Sequence, residues 1–456
     1  MDGCHACLAK NTMSNRMILP CRWRVLSCFV LYGFCNQWMF MDFAATPETT
    51  KYMLGIDDTS INWLYTVSLI STVPSVVLTL AFIDYFNWLA SCFGVASTMI
   101  AAWVRYEAAK RASFDLAVVS GICLGLGTGF VFVGFTQIPR DWFPSERERS
   151  LAMALAVQVS FLGWAFGGLI IPRFVTSVAS MISFSYIQAV SLTVCFFVFL
   201  AWHRSPISQV RVLDECSHAA TTQPTMMKSM ALIIGNGRFL VQSCACAMFQ
   251  GVGFTIPAIL FDVLEDQGYG SKESAWMSFA FIMGGVIAGL TLGEVVSRSA
   301  SPNLRSSLLL SLFWKGTVAV WLMFFADSCL KTSGEHSRHI VIFVLMMVSG
   351  SCSLGFVNVA LPVICETASP VSESLSGGLT ELLGFAMGAF LTQASSGYGF
   401  SLCAVASLFA SILMSTSFFD AFSARKSSSP GILAALIPKR TGPSCNESTE
   451  ALLMGA

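Results

Sequence analysis

The sequence predicts an all-α integral membrane protein with twelve transmembrane helices in two pseudo-symmetric six-helix bundles, on three observations. Of its 456 residues, 55% are hydrophobic and 11% charged. Soluble globular proteins carry about 25% charged residues, so most of this surface must face lipid. Apolar runs long enough for the roughly 20 residues that span a bilayer recur twelve times. The longest internal polar segment, 203–238, divides those runs six and six, the pattern of a two-half transporter. An ordinary soluble enzyme is excluded.

The first 23 residues form a polar tail, expected to be cytosolic. Its length before the first apolar run argues against a secretory signal, so that run is a retained span. Spans follow at 24–44, 61–83, 86–104, 114–138, 149–171 and 180–202, giving a first bundle over 24–202. A cytosolic linker is expected over 203–238. The second bundle, 239–422, holds spans at 239–261, 274–297, 304–326, 339–364, 374–396 and 398–422, and 423–456 reads as a disordered cytosolic tail. With the amino terminus inside, Lys and Arg on the inner side outnumber those outside by about two to one. Both termini are therefore expected in the cytosol, with the plasma membrane favoured over an organelle. Arg105, Lys110 and Arg111, after span 3, run against that bias.

Net charge is zero and the pI near 6.9, so no basic field points to nucleic acid. No glycine-rich loop followed by Lys and Ser or Thr appears, so no nucleotide partner is expected and a gradient must supply energy. Cys28, Cys92, Cys123, Cys195 and Cys403 sit inside apolar runs and read as small hydrophobes. The lone CxxC of Cys4 and Cys7 makes no closed zinc site, and neither a metal site nor a cofactor is predicted.

A weak internal repeat supports the two halves. DWFPSERERS after span 4 and ETASPVSESLSGG after span 10 each place an acid (Asp141, Glu366) before a proline and a second acid (Glu146, Glu373) after it. Chance in short polar loops accounts for this equally well. Glycines line span 4 (Gly121, Gly125, Gly127, Gly129) and span 8 (Gly285, Gly289, Gly293). Small residues at such spacing let helix backbones approach closely, for static packing or for sliding.

RWRVLSCFVLYGFCNQW in span 1, INWL opening span 2 and CETASPVSESLSGGL between spans 10 and 11 resemble the feline leukaemia virus subgroup C receptor family, a branch of the major facilitator superfamily. The resemblance covers roughly 22–422. It implies two bundles around a central cavity, alternating access, and transport of choline, ethanolamine or heme. The superfamily's glycine and basic signature between spans 2 and 3 is reduced here to FIDYFNWL, which keeps Asp84 without the arginines. The matching loop of the second half keeps Gly293, Glu294, Arg298 and Arg305. Gating is expected at these loops, through Asp84, Asp141, Glu146, Arg147, Arg298, Glu366 and Glu373.

A quaternary ammonium has no hydrogen to donate, so aromatic faces hold it, with a carboxylate or carbonyl nearby. The resemblance places the cation-binding tryptophan at Trp38, in the QW pair of span 1, where interfacial packing is the alternative. It places the second aromatic wall, a tyrosine in the family, at Phe254, and an amide of span 5 at Gln158, about a turn earlier than in the family. In span 11 the family carries an asparagine and then a glutamine, where this chain has Glu381 and Phe385.

Glu381 lies about 10 Å inside the inner boundary, where a charge must be paired, wetted or protonated. It neutralises a cationic substrate, binds a coupling proton or pairs with a basic residue. Lys315 is the one basic residue deep in a span, where snorkelling or pairing is expected. Asp42, one turn beyond Trp38, either attracts an incoming cation or caps the helix end. None of the five histidines lies inside a span, which disfavours an axial heme ligand in the cavity; His336 and His339 in the loop after span 9 form the only pair.

The sequence therefore points to a secondary transporter or facilitator in the lipid bilayer whose partner is a small molecule, a choline- or ethanolamine-like cation. Heme is the alternative substrate, and a non-transporting receptor or sensor on the same fold is the alternative class.

Overall fold

The computed structural model describes residues 2–143, 145–202, 226–265, 268–298, 301–329, 335–395 and 398–428. Side chains are described from Arg22 to Phe418, apart from short stretches that include 82–89, 146 and 335–338. Every regular element among the described residues is an α-helix. The first half comprises α1 (Asp2–Ala44), α2 (Pro47–Leu54), α3 (Asp58–Arg111), α4 (Phe114–Trp142), α5 (Glu146–Phe174) and α6 (Val178–Trp202). A short helix α7 (Met226–Gly235) precedes α8 (Gly237–Glu265), α9 (Ser271–Arg298), α10 (Pro302–Cys329), α11 (Glu335–Ser353), α12 (Val357–Ala368), α13 (Glu373–Ala394) and α14 (Ser401–Ser428). Among the described residues, ten segments are long and apolar enough to cross a membrane. The two further predicted runs, 24–44 and 86–104, lie on α1 and on the second part of α3.

The chain forms two compact units, Met1–Ser415 and Thr416–Ala456. The first contains α1 to α13, the start of α14 and the whole site described below.

Helix α3 carries spans 2 and 3 together. A Cβ built on Gly125 of α4 would meet Ser68 and Thr72, while one on Gly127 would meet Gly94 and Thr98. Along a straight helix Thr72 and Thr98 would stand about 39 Å apart. Both contact the same turn of α4, so the chain reverses between Ser75 and Gly94. The glycines of span 4 thus serve close packing within the first half: Gly125 leaves 2.3 Å between its Cβ position and the Ser68 carbonyl oxygen.

Three points bear on the expected layout. Within the linker 203–238, residues 226–235 are helical. Its apolar stretch MALII lets one side of α7 bury Ile233 while Leu232 and Ile234 stay exposed. Span 10 is not one helix. The chain leaves helical geometry at Leu354–Phe356, and α12 restarts at Val357. Broken helices are tolerated at membrane depth where protein or a cavity surrounds them, and Leu354 and Phe356 are fully buried. Third, Arg105 is not a loop charge. It lies inside the outer part of α3, 3% exposed.

The two halves meet along α5 with α9 and α3 with α13. Glycine opens both seams: Gln158 fills the space beside Gly289, Ala154 packs against Gly293, and Leu80 against Gly378.

Candidate functional site

Six helices drawn from both halves bring aromatic rings to one point. Phe254 of α8 lies 5.0 Å, centroid to centroid, from Phe385 of α13, 5.3 Å edge-on from Trp164 of α5 and 6.2 Å from Phe132 of α4. Phe132 and Phe385 close the box at 4.4 Å. Phe40 of α1 joins through Trp164, at 6.2 Å, and through Tyr65 of α3, at 5.8 Å. Tyr65 Oη donates to the Phe254 carbonyl at 3.1 Å, tying the first half to the second. All these rings are buried. Edge-on contacts turn ring edges to ring faces, and the same faces attract cations. Trp164 Nε1 is buried and has no partner among the described residues.

One helical turn away stands the carboxylate. Glu381 and Phe385 are four residues apart on α13, and Gln250 and Phe254 four apart on α8, so each pair shares a helix face. Gln250 Nε2 donates to Glu381 Oε2 at 2.5 Å. Glu381 is 2% exposed, and no basic side chain among the described residues lies within ion-pair distance of it. Lys315, the basic residue deep in span 9, is exposed on α10.

Trp38 points elsewhere. Two residues along a helix are about 200° apart, and Phe40 faces the box, so Trp38 faces away from it. Its ring contacts Phe34 at 5.6 Å, on the stripe of Leu31, Phe34, Cys35 and Trp38 that keeps partial exposure. Its backbone packs on Gly163 and Gly167 of α5, and its Nε1 has no partner among the described residues. Trp38 and Phe254 make no ring contact among the described residues.

Gln158 is fully buried at the α5–α9 seam, and neither amide atom has a partner among the described residues. Beside it, Asn358, just past the break before α12, donates to the Gly289 carbonyl at 2.7 Å, and its Oδ1 has no partner among the described residues. Asp42 is not open to an incoming cation, since it is 1% exposed and paired with Arg105 at 2.7 Å. Gln188 of α6 donates to its other oxygen at 3.1 Å, and the Arg105 guanidinium also lies 4.8 Å from the Phe43 ring centroid.

The end of the bundle carrying the α4–α5 and α12–α13 connections, termed the inner end, is laced with charge. Arg147 reaches Glu294 at 3.6 Å and Arg149 reaches Glu373 at 3.7 Å, both across the halves. Arg298 pairs with Glu294 at 2.6 Å along α9, and Arg305 pairs with Glu366. Asp141 accepts from Gln137 at 2.7 Å, and Ser374 of α13 donates to the same Gln137. The side chains of Asp84 and Glu146, like His336, lie outside the described residues; His339 sits against Tyr269 and Glu273. A cavity of about 610 Å³ opens among these groups, lined by Thr136 and Met153 from one half and Leu361, Cys365 and Glu373 from the other. Phe132 is one turn deeper than Thr136, so the aromatic box lies beyond the cavity's inner wall.

Sequence reasoning missed Trp164, Phe132, Phe40, Tyr65 and Gln250. One signal was available: QGVGF at 250–254 and ELLGF at 381–385 both set a polar residue, then Gly-Phe, one turn on.

The comparisons agree with this architecture. A family model described as Major Facilitator Superfamily matches residues 26–390. The human protein named Choline/ethanolamine transporter FLVCR2 is 21% identical over 390 residues, covering 81% of this chain and 70% of that protein. The Danio rerio protein named Choline/ethanolamine transporter flvcr2a is 21% identical over 393 residues, covering 82% and 79%. With helices throughout, bilayer-length spans and a family match across most of its length, the chain belongs to the Major Facilitator Superfamily, as a multi-pass membrane transporter and not an enzyme.

Proposed function

We propose that this transporter moves a small organic cation, choline- or ethanolamine-like, between its two halves by alternating access. The observation that carries the reading is the aromatic box of Phe132, Trp164, Phe254 and Phe385, built from both halves, with the Glu381 carboxylate one turn away and no basic side chain among the described residues within ion-pair distance of it. Aromatic faces and a carboxylate are what an ammonium requires on leaving water. The distant likeness to proteins named as choline/ethanolamine transporters supports the same substrate class.

In this reading Phe254 and Trp164 face the ammonium, Glu381 supplies counter-charge and Gln158 orients polar groups from the α5–α9 seam. Trp38, on the other face of α1, makes no direct contact with the cation. The inter-half pairs Arg147–Glu294 and Arg149–Glu373 close the inner end, and Asp141, Arg298 and Glu366 brace it.

Uptake of labelled choline and ethanolamine into proteoliposomes tests this. The wild type should take up at least one of them saturably. Trp164→Ala should raise the half-saturating concentration about 10- to 30-fold, the equivalent of about 2 kcal/mol of desolvated cation–π contact, and Trp38→Ala should have a smaller effect. Uptake of neither cation above protein-free vesicles would overturn the proposal.

A further inference from the structure

The box and the carboxylate make different demands on a cation. An aromatic face attracts any ammonium, methylated or not. A carboxylate discriminates, because an N–H brings nitrogen to about 2.7–2.9 Å of the oxygen in a charge-assisted bond, whereas N-methyl groups hold it off.

Three features show that the carboxylate is built for close contact. Glu381 Oε2 is already satisfied by Gln250, while among the described residues Oε1 accepts no hydrogen bond. An ionised carboxylate offers about four acceptor positions, so this oxygen is open for a donor. The donor is also held in place. Gly384 lies between Glu381 and Phe385 on the same helix, and a Cβ there would fall 2.7 Å from Gln250 Oε1, so the amide fills the space that a side chain would take. Finally, the rings one turn away are Phe and Trp; the hydroxyl of Tyr65 is spent on the Phe254 carbonyl. The box therefore offers ring faces and no side-chain acceptor of its own, and hydrogen bonding to the cationic head falls to Glu381.

We infer that the site selects ammonium ions that retain an N–H, primary or secondary amines on a compact apolar body, over quaternary ammonium ions of the same body. The inference rests on the organic-cation reading above and deepens it. The head donates to Glu381 Oε1 beside the ring faces of Phe254 and Phe385, which stand one helical turn away.

Two matched probe pairs separate the demands: 2-phenylethylamine against its N,N,N-trimethyl derivative, and ethanolamine against choline. Each is measured as a competitor of labelled uptake, and by direct binding to the purified protein in detergent. In the wild type the N–H form should bind about 10- to 100-fold more tightly than its quaternary partner in both pairs, as one charge-assisted hydrogen bond allows. Glu381→Gln keeps an acceptor for Gln250 and removes the charge, and should bring the ratio to within about threefold of unity. Quaternary forms binding as well as or better than their partners in the wild type would overturn the inference and leave the cation reading standing. An unchanged ratio in a folded Glu381→Gln protein would do the same. Binding of none of the four probes to the wild type would overturn both.

Discussion

Gln250 and Glu381 meet at 2.5 Å between α8 and α13, each one turn from a phenylalanine of the aromatic box. The pair joins a polar layer to an apolar one inside the membrane. Because Glu381 is buried, its amide partner is also a stability determinant. Gln250→Leu should lower stability by about 1–3 kcal/mol by leaving the carboxylate without a donor. The double variant Gln250→Leu/Glu381→Leu should recover much of that loss. Thermal unfolding in detergent checks both, and a wild-type midpoint for the single variant would show that the bond carries no weight.

The Asp42–Arg105 pair predicts a larger effect. Both partners are buried, at 1% and 3% exposure, and removing one leaves an uncompensated charge. Asp42→Ala should cost about 3–5 kcal/mol, seen as a lowered unfolding temperature and folded yield. Replacing both residues with methionine should restore most of it, because a buried ion pair often only breaks even against apolar packing.

Backbone proximity predicts a contrast between two glycines. A Cβ at Gly350 of α11 would lie 1.7 Å from the Phe281 carbonyl oxygen of α9, while one at Gly237 would meet nothing within 4 Å. Gly350→Ala should destabilise by about 1–3 kcal/mol through overpacking. Gly237→Ala should stay within about 0.5 kcal/mol of wild type. Equal midpoints for the two variants would contradict the α9–α11 contact.

Asp57, outside the spans, caps α3. The Ser60 amide donates to its carboxylate at 3.0 Å, and the hydrogen bonds from Ser60 hold its pKa below the ordinary aspartate value. A carboxyl depressed on folding contributes stability that is present above its unfolded pKa and lost as pH falls through the folded one. Asp57→Asn keeps a capping oxygen without the charge. The wild-type advantage over Asp57→Asn should therefore be complete above about pH 5 and shrink on acidification below about pH 4. Unfolding midpoints across that range read it, and a difference independent of pH would rule out the cap as its source.

Much of the fold was legible because membrane spans depend on run length and hydropathy, which are local properties. All twelve predicted runs fall on helices, with span 10 divided by a break that no proline or charge announces at 354–356. The reversal inside α3 falls between the runs 61–83 and 86–104. The site was less legible. Phe254 and Glu381 were named, yet their neighbours Trp164 and Phe132 are two among many aromatic residues, and which of 37 phenylalanines converge is a tertiary property. Trp38 illustrates the limit: a tryptophan in a span carries no mark of the face it occupies, and only the contacts of Phe40 reveal that Trp38 turns away from the box. Asp42 and Arg105 lie 63 positions apart, so neither residue alone announces the pair. Of the three basic residues that run against the charge bias, Arg105 belongs to that buried pair, while Lys110 and Arg111 are exposed and pair with Glu107.

The most direct test of the central claim is the initial rate of labelled ethanolamine uptake into proteoliposomes containing wild type, Phe254→Ala or Glu381→Gln. A box and carboxylate that together hold the cation predict saturable wild-type uptake and a fall of at least about tenfold in uptake efficiency for each variant. Wild-type uptake no faster than in protein-free vesicles, or folded variants that match the wild type, would contradict it.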